Sequence, residues 1–149
     1  SDSYAVKEEA FREIMKSENL DAESYIVTVE AGNSMETSEL TTDALLEVLP
    51  ETDATAIFCC NDLMAVGALN ACKLLEILVP GDISVMGYDN TSIANIVTPK
   101  ITSVDQNMFQ LGRNAAQILI EKIETGQVKR ITLYNTIVEG DSTGPIKGQ

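Results

Sequence analysis

The chain of 149 residues contains no histidine, three cysteines and only ten basic residues against 23 acidic ones. The absence of histidine removes the side chain most often used as a general base and metal ligand. The formal net charge of −13 argues against direct binding to DNA, RNA or an anionic membrane, because such binding needs clustered lysine and arginine. We therefore expect this chain to hold no metal or other cofactor, and to contact neither nucleic acid nor membrane by itself.

The cysteines form no recognisable redox or metal-binding motif. No C-x-x-C is present, and Cys59 and Cys60 are adjacent in an apolar run, where neighbouring strand residues point to opposite faces. The expected state is reduced thiols that pack as small hydrophobic residues. A cysteine nucleophile would need a base other than histidine, and burial disfavours its thiolate. The sequence therefore predicts a protein that is not an enzyme.

Long hydrophobic runs are also missing, and no segment approaches the roughly 20 apolar residues that a membrane span requires. The first residues, SDSYAVKEE, have neither the basic start nor the apolar middle of a secretory signal. A hydrophobic content of 44% and the length are ordinary for one globular domain. The expected location is the cytoplasm.

Two spacings of apolar residues alternate along the chain. Helical spacing predicts helices over about 4–17, 40–49, 63–75 and 108–125, the last two ending near Pro80 and at Gly126. Short apolar or β-branched runs predict strands at 25–29, 54–60, 83–88, 101–104 and 131–138, followed by a loose tail at 140–149. Such alternation is typical of βαβ units. The predicted fold class is α/β, with a parallel sheet flanked by helices.

Polar residues stand where three of the predicted strands end, namely Asn61, Asp89 and Gln106. In an open α/β sheet, ligands bind at the carboxyl ends of the strands. The carboxylate of Asp89 can accept two hydroxyl hydrogen bonds from a sugar or a ribose, and an Asx turn is the alternative interpretation. Asn61 can equally serve as the N-cap of the next helix. For Gln106 the alternative is a solvent-facing residue of a loop.

Three blocks of sequence together resemble the effector-binding core of the lactose/galactose repressor family. They read TAIFCCNDLMAVGAL at Thr55–Leu69, VPGDISVMGYDN at Val79–Asn90 and PKITSVDQ at Pro99–Gln106. Their order and spacing also match the family, as does Leu111–Gly112 in the helix that follows. The resemblance implies the C-terminal lobe of a type I periplasmic-binding-protein-like core, in an incomplete form.

The resemblance also implies a division of the chain. Residues 1–106 would form the C-terminal lobe without its first strand and helix, 107–139 a crossover helix and a returning strand, and 140–149 a tail. The spacing pattern agrees, because the chain opens on a helix where a βαβ sheet would open on a strand. We expect this chain to be the C-terminal part of a longer regulator.

In that family a small effector binds between two lobes and thereby controls DNA binding by an N-terminal helix-turn-helix. The resemblance implies effector-binding roles for four residues, which are Lys7, Asn61, Asp89 and Gln106. It implies a homodimer interface at Val66, Asn70, Ile93, Ile96 and Val97, for which burial within the same lobe is the alternative. The expected partners are a sugar-like effector, a second copy, and DNA only through the helix-turn-helix. The alternative function is the sugar-binding receptor of a transport system.

Three departures from the family pattern leave the ligand open. Lys7 stands in KEEAF where the family usually shows R-x-x-G-F, and lysine lacks the planar fork of arginine. Gly32–Met35 contains none of the stacking aromatics common in sugar-binding members. The segment Glu139–Thr143 reads EGDST where R-x-S-T is common.

Overall fold

The computed structural model describes residues 2–30 and 34–145. Its helices are α1 (Asp2–Ser17), α2 (Ser34–Val48), α3 (Asp62–Leu74), α4 (Ser92–Ile96) and α5 (Met108–Thr125). Its strands are β1 (Ala56–Phe58), β2 (Ser84–Tyr88), β3 (Thr102–Asp105) and β4 (Thr136–Val138). Short 3-10 turns occupy Ala22–Tyr25 and Leu49–Glu51. The predicted α/β class, with a sheet flanked by helices, is confirmed.

The four strands form one sheet in the order β1-β2-β3-β4. The first three are parallel, with Phe58 opposite Met86 and Tyr88 opposite Val104, so their carboxyl ends lie at the same edge. The fourth strand is antiparallel to β3, with Ile137 opposite Val104. The predicted parallel sheet is thus formed by β1, β2 and β3, and β4 adds an antiparallel edge strand to it. Alternating burial indicates a strand but not its direction.

The strand predicted at 25–29 is absent. Tyr25 ends a 3-10 turn, and Ile26–Val29 run on without pairing to the sheet, in which β1 is the edge strand. The hydroxyl of Tyr25 donates to Asp53 Oδ1 at 3.2 Å. A β-branched run becomes a strand only where a partner strand supplies hydrogen bonds, and sequence pattern does not report that partner. The strand predicted at 131–138 is likewise reduced to β4.

The hydrophobic core lies between α2, α3 and the sheet. Within it, α2 and α3 approach closely at the buried Gly67, whose carbonyl accepts a hydrogen bond from Thr42 Oγ1 at 3.1 Å. The buried apolar residues are Leu45, Leu49, Cys59, Ala65, Ala68, Leu69, Ala71, Cys72, Ile83, Val85, Ala94 and Ile101. Four of these residues are alanines of α3 and α4, and their small side chains allow the helices to pack closely.

The segment that follows β4 is held against the sheet, and the expectation of a loose tail is wrong for 140–145. Ser142 is fully buried; its Oγ accepts from the Thr102 amide at 2.9 Å and donates to the Val85 carbonyl at 2.5 Å. The Val85 amide in turn donates to the Ser142 carbonyl at 2.8 Å. One small hydroxyl residue thus satisfies backbone groups of β2 and β3. Residues 146–149 lie outside the described part of the chain.

Helix α5 has the predicted limits but a different environment from α3. Asn107 caps its start and Gly126, in the left-handed region at φ 75°, ends it. The apolar residues on α5 are largely exposed, and these are Met108, Phe109, Leu111, Leu119, Ile120 and Ile123. Its amphipathic pattern therefore does not contribute to the core. None of the helices in the described ranges combines the length and apolar character that crossing a membrane requires.

Candidate functional site

Three polar residues predicted as ligand contacts lie at the carboxyl edge of the sheet. Asn61 follows β1, Asp89 directly follows β2, and Gln106 directly follows β3. We call these three residues the rim. Since the three strands are neighbours and parallel, the rim occupies one end of the sheet, and each member is half-buried. This arrangement is where ligands bind in open α/β sheets.

Asp89 and Gln106 are joined directly. Gln106 Nε2 donates to Asp89 Oδ1 at 2.5 Å, and the Asp89 amide donates to the Val104 carbonyl at 2.9 Å. In an Asx turn the side chain of Asp89 would accept a hydrogen bond from the amide of Thr91. That amide donates to Asp62 instead, so the alternative of an Asx turn is not realised. Among the described residues, Asp89 Oδ2 has no hydrogen-bond partner. That oxygen is available to accept hydroxyl groups.

Asn61 performs the capping role that was its alternative interpretation. Its Oδ1 accepts from the Met64 amide at 2.8 Å, so it is the N-cap of α3. Its Nδ2 donates to the Tyr4 hydroxyl at 3.1 Å. Capping is confirmed for Asn61, and a ligand contact stays a prediction.

Lys7 reaches the same edge from α1. Its Nζ donates to the Cys60 carbonyl at 2.9 Å and lies 3.6 Å from the centre of the Tyr88 ring, a cation–π geometry. The Tyr4 ring centre is 5.4 Å from the same Nζ. Lys7 is therefore the cation next to the rim, although it carries no planar fork.

Two tyrosines that were not among the predicted site residues, Tyr88 and Tyr4, lie beside the rim. Tyr88 ends β2, stands edge-to-face with Phe58 at 6.4 Å between ring centres, and accepts from Asn135 Nδ2 at 2.9 Å. Tyr4 lies three residues before Lys7 on α1. A helical spacing of three places two side chains on one face, and this signal was available in the sequence.

The three thiols are free, as predicted, and two of them are buried. Burial raises the pKa of Cys72 to about 11 and raises the pKa of Cys59 further. Burial also raises the pKa of the half-buried Cys60, and the charge of Lys7 opposes that effect. At neutral pH the thiol form therefore predominates at all three positions. The described residues contain no group of three or more acidic or cysteine side chains placed to hold a metal ion.

The residues implied at a dimer interface differ in environment. Ile96 is 77% exposed and Asn70 is also exposed, whereas Val66 and Val97 pack against the core. Ile93 is half-buried. Partial packing of Val66 and Val97 against the core agrees with burial within the same lobe, and the interface stays a prediction for all five residues. Of the Gly32–Met35 segment noted above, Gly32 and Asn33 lie outside the described residues.

The fold corresponds to a known class of ligand-binding domain. The family model for the periplasmic binding protein-like domain matches residues 3–143, which is nearly the whole chain. The chain therefore belongs to the periplasmic-binding-protein-like domain family.

Similar proteins identify the branch of that family. The HTH-type transcriptional repressor PurR of Vibrio cholerae is 34% identical over 116 residues, covering 76% of this chain and 34% of that protein. PurR of Mannheimia succiniciproducens is 41% identical over 83 residues, covering 56% of this chain and 25% of that protein. The chain thus spans between a quarter and about a third of the length of these curated relatives.

Solved structures of similar proteins are also those of transcriptional regulators. A LacI family regulator from Enterococcus faecalis with bound ribose has a TM-score of 0.69 and 31% identity, covering 81% of this chain and 44% of that one. The transcriptional regulator CelR–cellobiose complex has a TM-score of 0.73 and 28% identity, covering 88% of this chain and 40% of that one. The chain has the effector-binding domain type of LacI/GalR regulators.

Proposed function

We propose that this chain is the ligand-sensing portion of a transcriptional regulator. In this proposal a small effector, a sugar or a nucleoside-like molecule, binds in a cleft between two lobes and controls DNA binding by an N-terminal helix-turn-helix outside this chain. The observation that carries the proposal is the convergence of Asn61, Asp89 and Gln106 at the ends of three neighbouring strands. The ribose and cellobiose bound to similar regulators support a hydroxyl-rich effector.

The rim has suitable chemistry for hydroxyl groups. Asp89 Oδ2 accepts no hydrogen bond from the described part of the chain, while Gln106 holds the other oxygen in place. Lys7 donates one N–H to the Cys60 carbonyl and faces the Tyr88 ring, so its positive charge lies beside the rim, where it can attract ligand oxygens. Hydrogen bonds to charged groups contribute about 1.5–3 kcal/mol each, more than neutral ones. We infer that Asp89 is the main anchor, and that Lys7, Asn61 and Gln106 orient the effector.

The exposed apolar residues of α5 support the proposed division of the chain. In this proposal 1–106 form the second lobe, while α5 and the segment up to residue 139 connect it to a first lobe that precedes this chain. A helix with an apolar stripe normally buries that stripe against another element. The proposed contacts of a homodimer are the exposed Asn70 and Ile96 and the half-buried Val66, Ile93 and Val97.

The genomic sequence directly upstream of Ser1 tests the class of protein. We expect it to encode a helix-turn-helix followed by the first lobe of the receptor fold. A secretory or lipoprotein leader in that place would contradict the regulator and favour the receptor of a transport system.

Replacing Asp89 by asparagine in the full-length regulator is expected to weaken effector binding about 10- to 100-fold, because one charge-assisted hydrogen bond becomes neutral. Calorimetric titration with ribose, cellobiose and the common ribonucleosides measures the change. The control is Asp43→Asn, an exposed carboxylate on α2, which should leave affinity unchanged. Equal affinity of the Asp89→Asn variant, or no binding of any compound in the set, contradicts the proposal.

The 149-residue chain alone is expected to bind the same compounds at least about 10-fold more weakly than the full-length regulator, because it supplies only one side of the cleft. Titration of both proteins under the same conditions tests this. A micromolar dissociation constant for ribose with the isolated chain would show that the binding site does not require a second lobe.

A further inference from the structure

Asp62 is a buried carboxylate that lies close to the rim but is not one of the predicted ligand contacts. It is the first residue of α3 and is 1% exposed. Its Oδ2 accepts from the Thr91 amide at 2.6 Å and from Thr91 Oγ1 at 2.8 Å, and its Oδ1 accepts from Ser103 Oγ at 2.6 Å. A carboxylate offers only acceptor oxygens, so three donors match it well.

These hydrogen bonds hold the loop that carries Asp89. Thr91 is two residues after Asp89, and the Asn90 amide between them donates to Ser103 Oγ at 3.1 Å. Asp89 and Asn90 both have positive φ, at 97° and 48°. Residues other than glycine rarely adopt a positive φ, so surrounding contacts must hold the backbone in this conformation. Asp62 and Ser103 supply those contacts on one side of the loop.

The usual reasons for an acidic residue at a helix start do not account for Asp62. Asn61 already caps α3 through the Met64 amide. A surface carboxylate would suffice for a favourable interaction with the helix dipole, whereas Asp62 is desolvated.

Space for Asp62 is made by Gly87 in the middle of β2. A Cβ at Gly87 would lie 2.5 Å from Asp62 Oδ1. Glycine within a strand weakens it and often marks a close approach of another group. The close approach here is that of the Asp62 carboxylate.

We propose that Asp62 is a positioning residue of the effector site, which sets the place of the Asp89 carboxylate by anchoring Thr91 directly and Asn90 through Ser103. It touches no ligand itself, because it is buried beneath the loop. The effect on binding rests on the function proposed above, whereas the anchoring of the loop does not depend on it.

Amide hydrogen exchange of the 149-residue chain, followed by NMR, tests the anchoring. In Asp62→Ala, we expect exchange at Asn90 and Thr91 to accelerate at least about 10-fold, while the Val85 amide, bonded to Ser142, keeps its rate. Asp62→Asn should restore part of the protection, because it keeps an acceptor oxygen for Thr91. The control is Asp82→Asn at the other end of β2, where Oδ2 accepts from the Leu78 amide.

Unchanged exchange at Asn90 and Thr91 in Asp62→Ala overturns the inference. If Asp62→Ala does not fold, Ser103→Ala takes its place, since it removes the acceptor of the Asn90 amide and leaves the cap of α3 intact. Unchanged exchange at Asn90 in that variant overturns the inference equally.

Ribose titration of the full-length regulator separates this inference from the proposed function. If wild type binds ribose and Asp62→Ala binds it at least about 10-fold more weakly with Asp89 intact, the positioning role is supported. Failure of the wild type to bind ribose, cellobiose or ribonucleosides contradicts the proposed function but leaves the exchange result standing. Wild-type affinity in Asp62→Ala overturns the positioning role.

Discussion

Replacing Gly67 by alanine is expected to lower the free energy of unfolding by about 3 kcal/mol. Gly67 lies where α2 and α3 approach, and a Cβ there would be 2.5 Å from the Ser38 carbonyl oxygen and 2.7 Å from Thr41 Cβ. The first of these atoms is backbone, so α2 itself must move to make room. Because α2 and α3 enclose the core, their separation would loosen the packing of the buried leucines and alanines.

Urea denaturation of the 149-residue chain, followed by circular dichroism, measures this change. The matched control is Gly112→Ala in α5, where nothing lies within 4 Å of the new Cβ. In that variant the free energy of unfolding should rise by about 0.5–1 kcal/mol, because alanine has a higher helix propensity than glycine. Equal effects of the two substitutions would show that the α2–α3 approach is not a tight contact.

Replacing Gly87 by alanine is expected to lower the free energy of unfolding by about 2 kcal/mol and to displace the Asp89 loop. The new Cβ would lie 2.5 Å from Asp62 Oδ1 and 3.0 Å from Ile101 Cγ2. Asp62 cannot swing away, because Thr91 and Ser103 hold its two oxygens. Relief of the clash must therefore break at least one of those hydrogen bonds.

A double-mutant cycle measures the coupling between the two positions. In an Asp62→Ala background, Gly87→Ala should lose less stability, because the clashing oxygen is gone. The control is Gly81→Ala at the other end of β2, whose nearest contact is the exposed Leu78 side chain at 3.3 Å. Additive effects of Asp62→Ala and Gly87→Ala would mean that glycine at position 87 serves some purpose other than room for the carboxylate.

Local chemistry made much of the helical structure predictable. The apolar spacing of α3 and α5 indicated both helices, and their ends followed from Asn61 as an N-cap and Gly126 as a left-handed C-cap. These signals act within one or two turns of the chain. These signals can therefore be recognised without knowledge of which other elements the helix packs against.

The strands could be predicted from the sequence only where a partner strand is present to pair with them. The runs that became β1, β2 and β3 pair with one another, whereas Ile26–Val29 has the same type of composition but pairs with no strand within 2–30 and 34–145. The docking of Ser142 between backbone groups of β2 and β3 joins residues 40 and 57 positions apart along the chain. No local pattern reports such a contact.

By itself the sequence determined α3, α5 and the three parallel strands, and with them the three rim positions Asn61, Asp89 and Gln106, because a residue that follows a parallel strand must lie at the carboxyl edge. Only the tertiary structure decided what surrounds the rim. Tyr4 and Lys7 reach it from α1, and Asp62 lies beneath the Asp89 loop, through contacts between residues far apart in the chain. The physical reason is that backbone periodicity acts over a few residues, whereas burial and hydrogen-bond pairing depend on which elements meet in space.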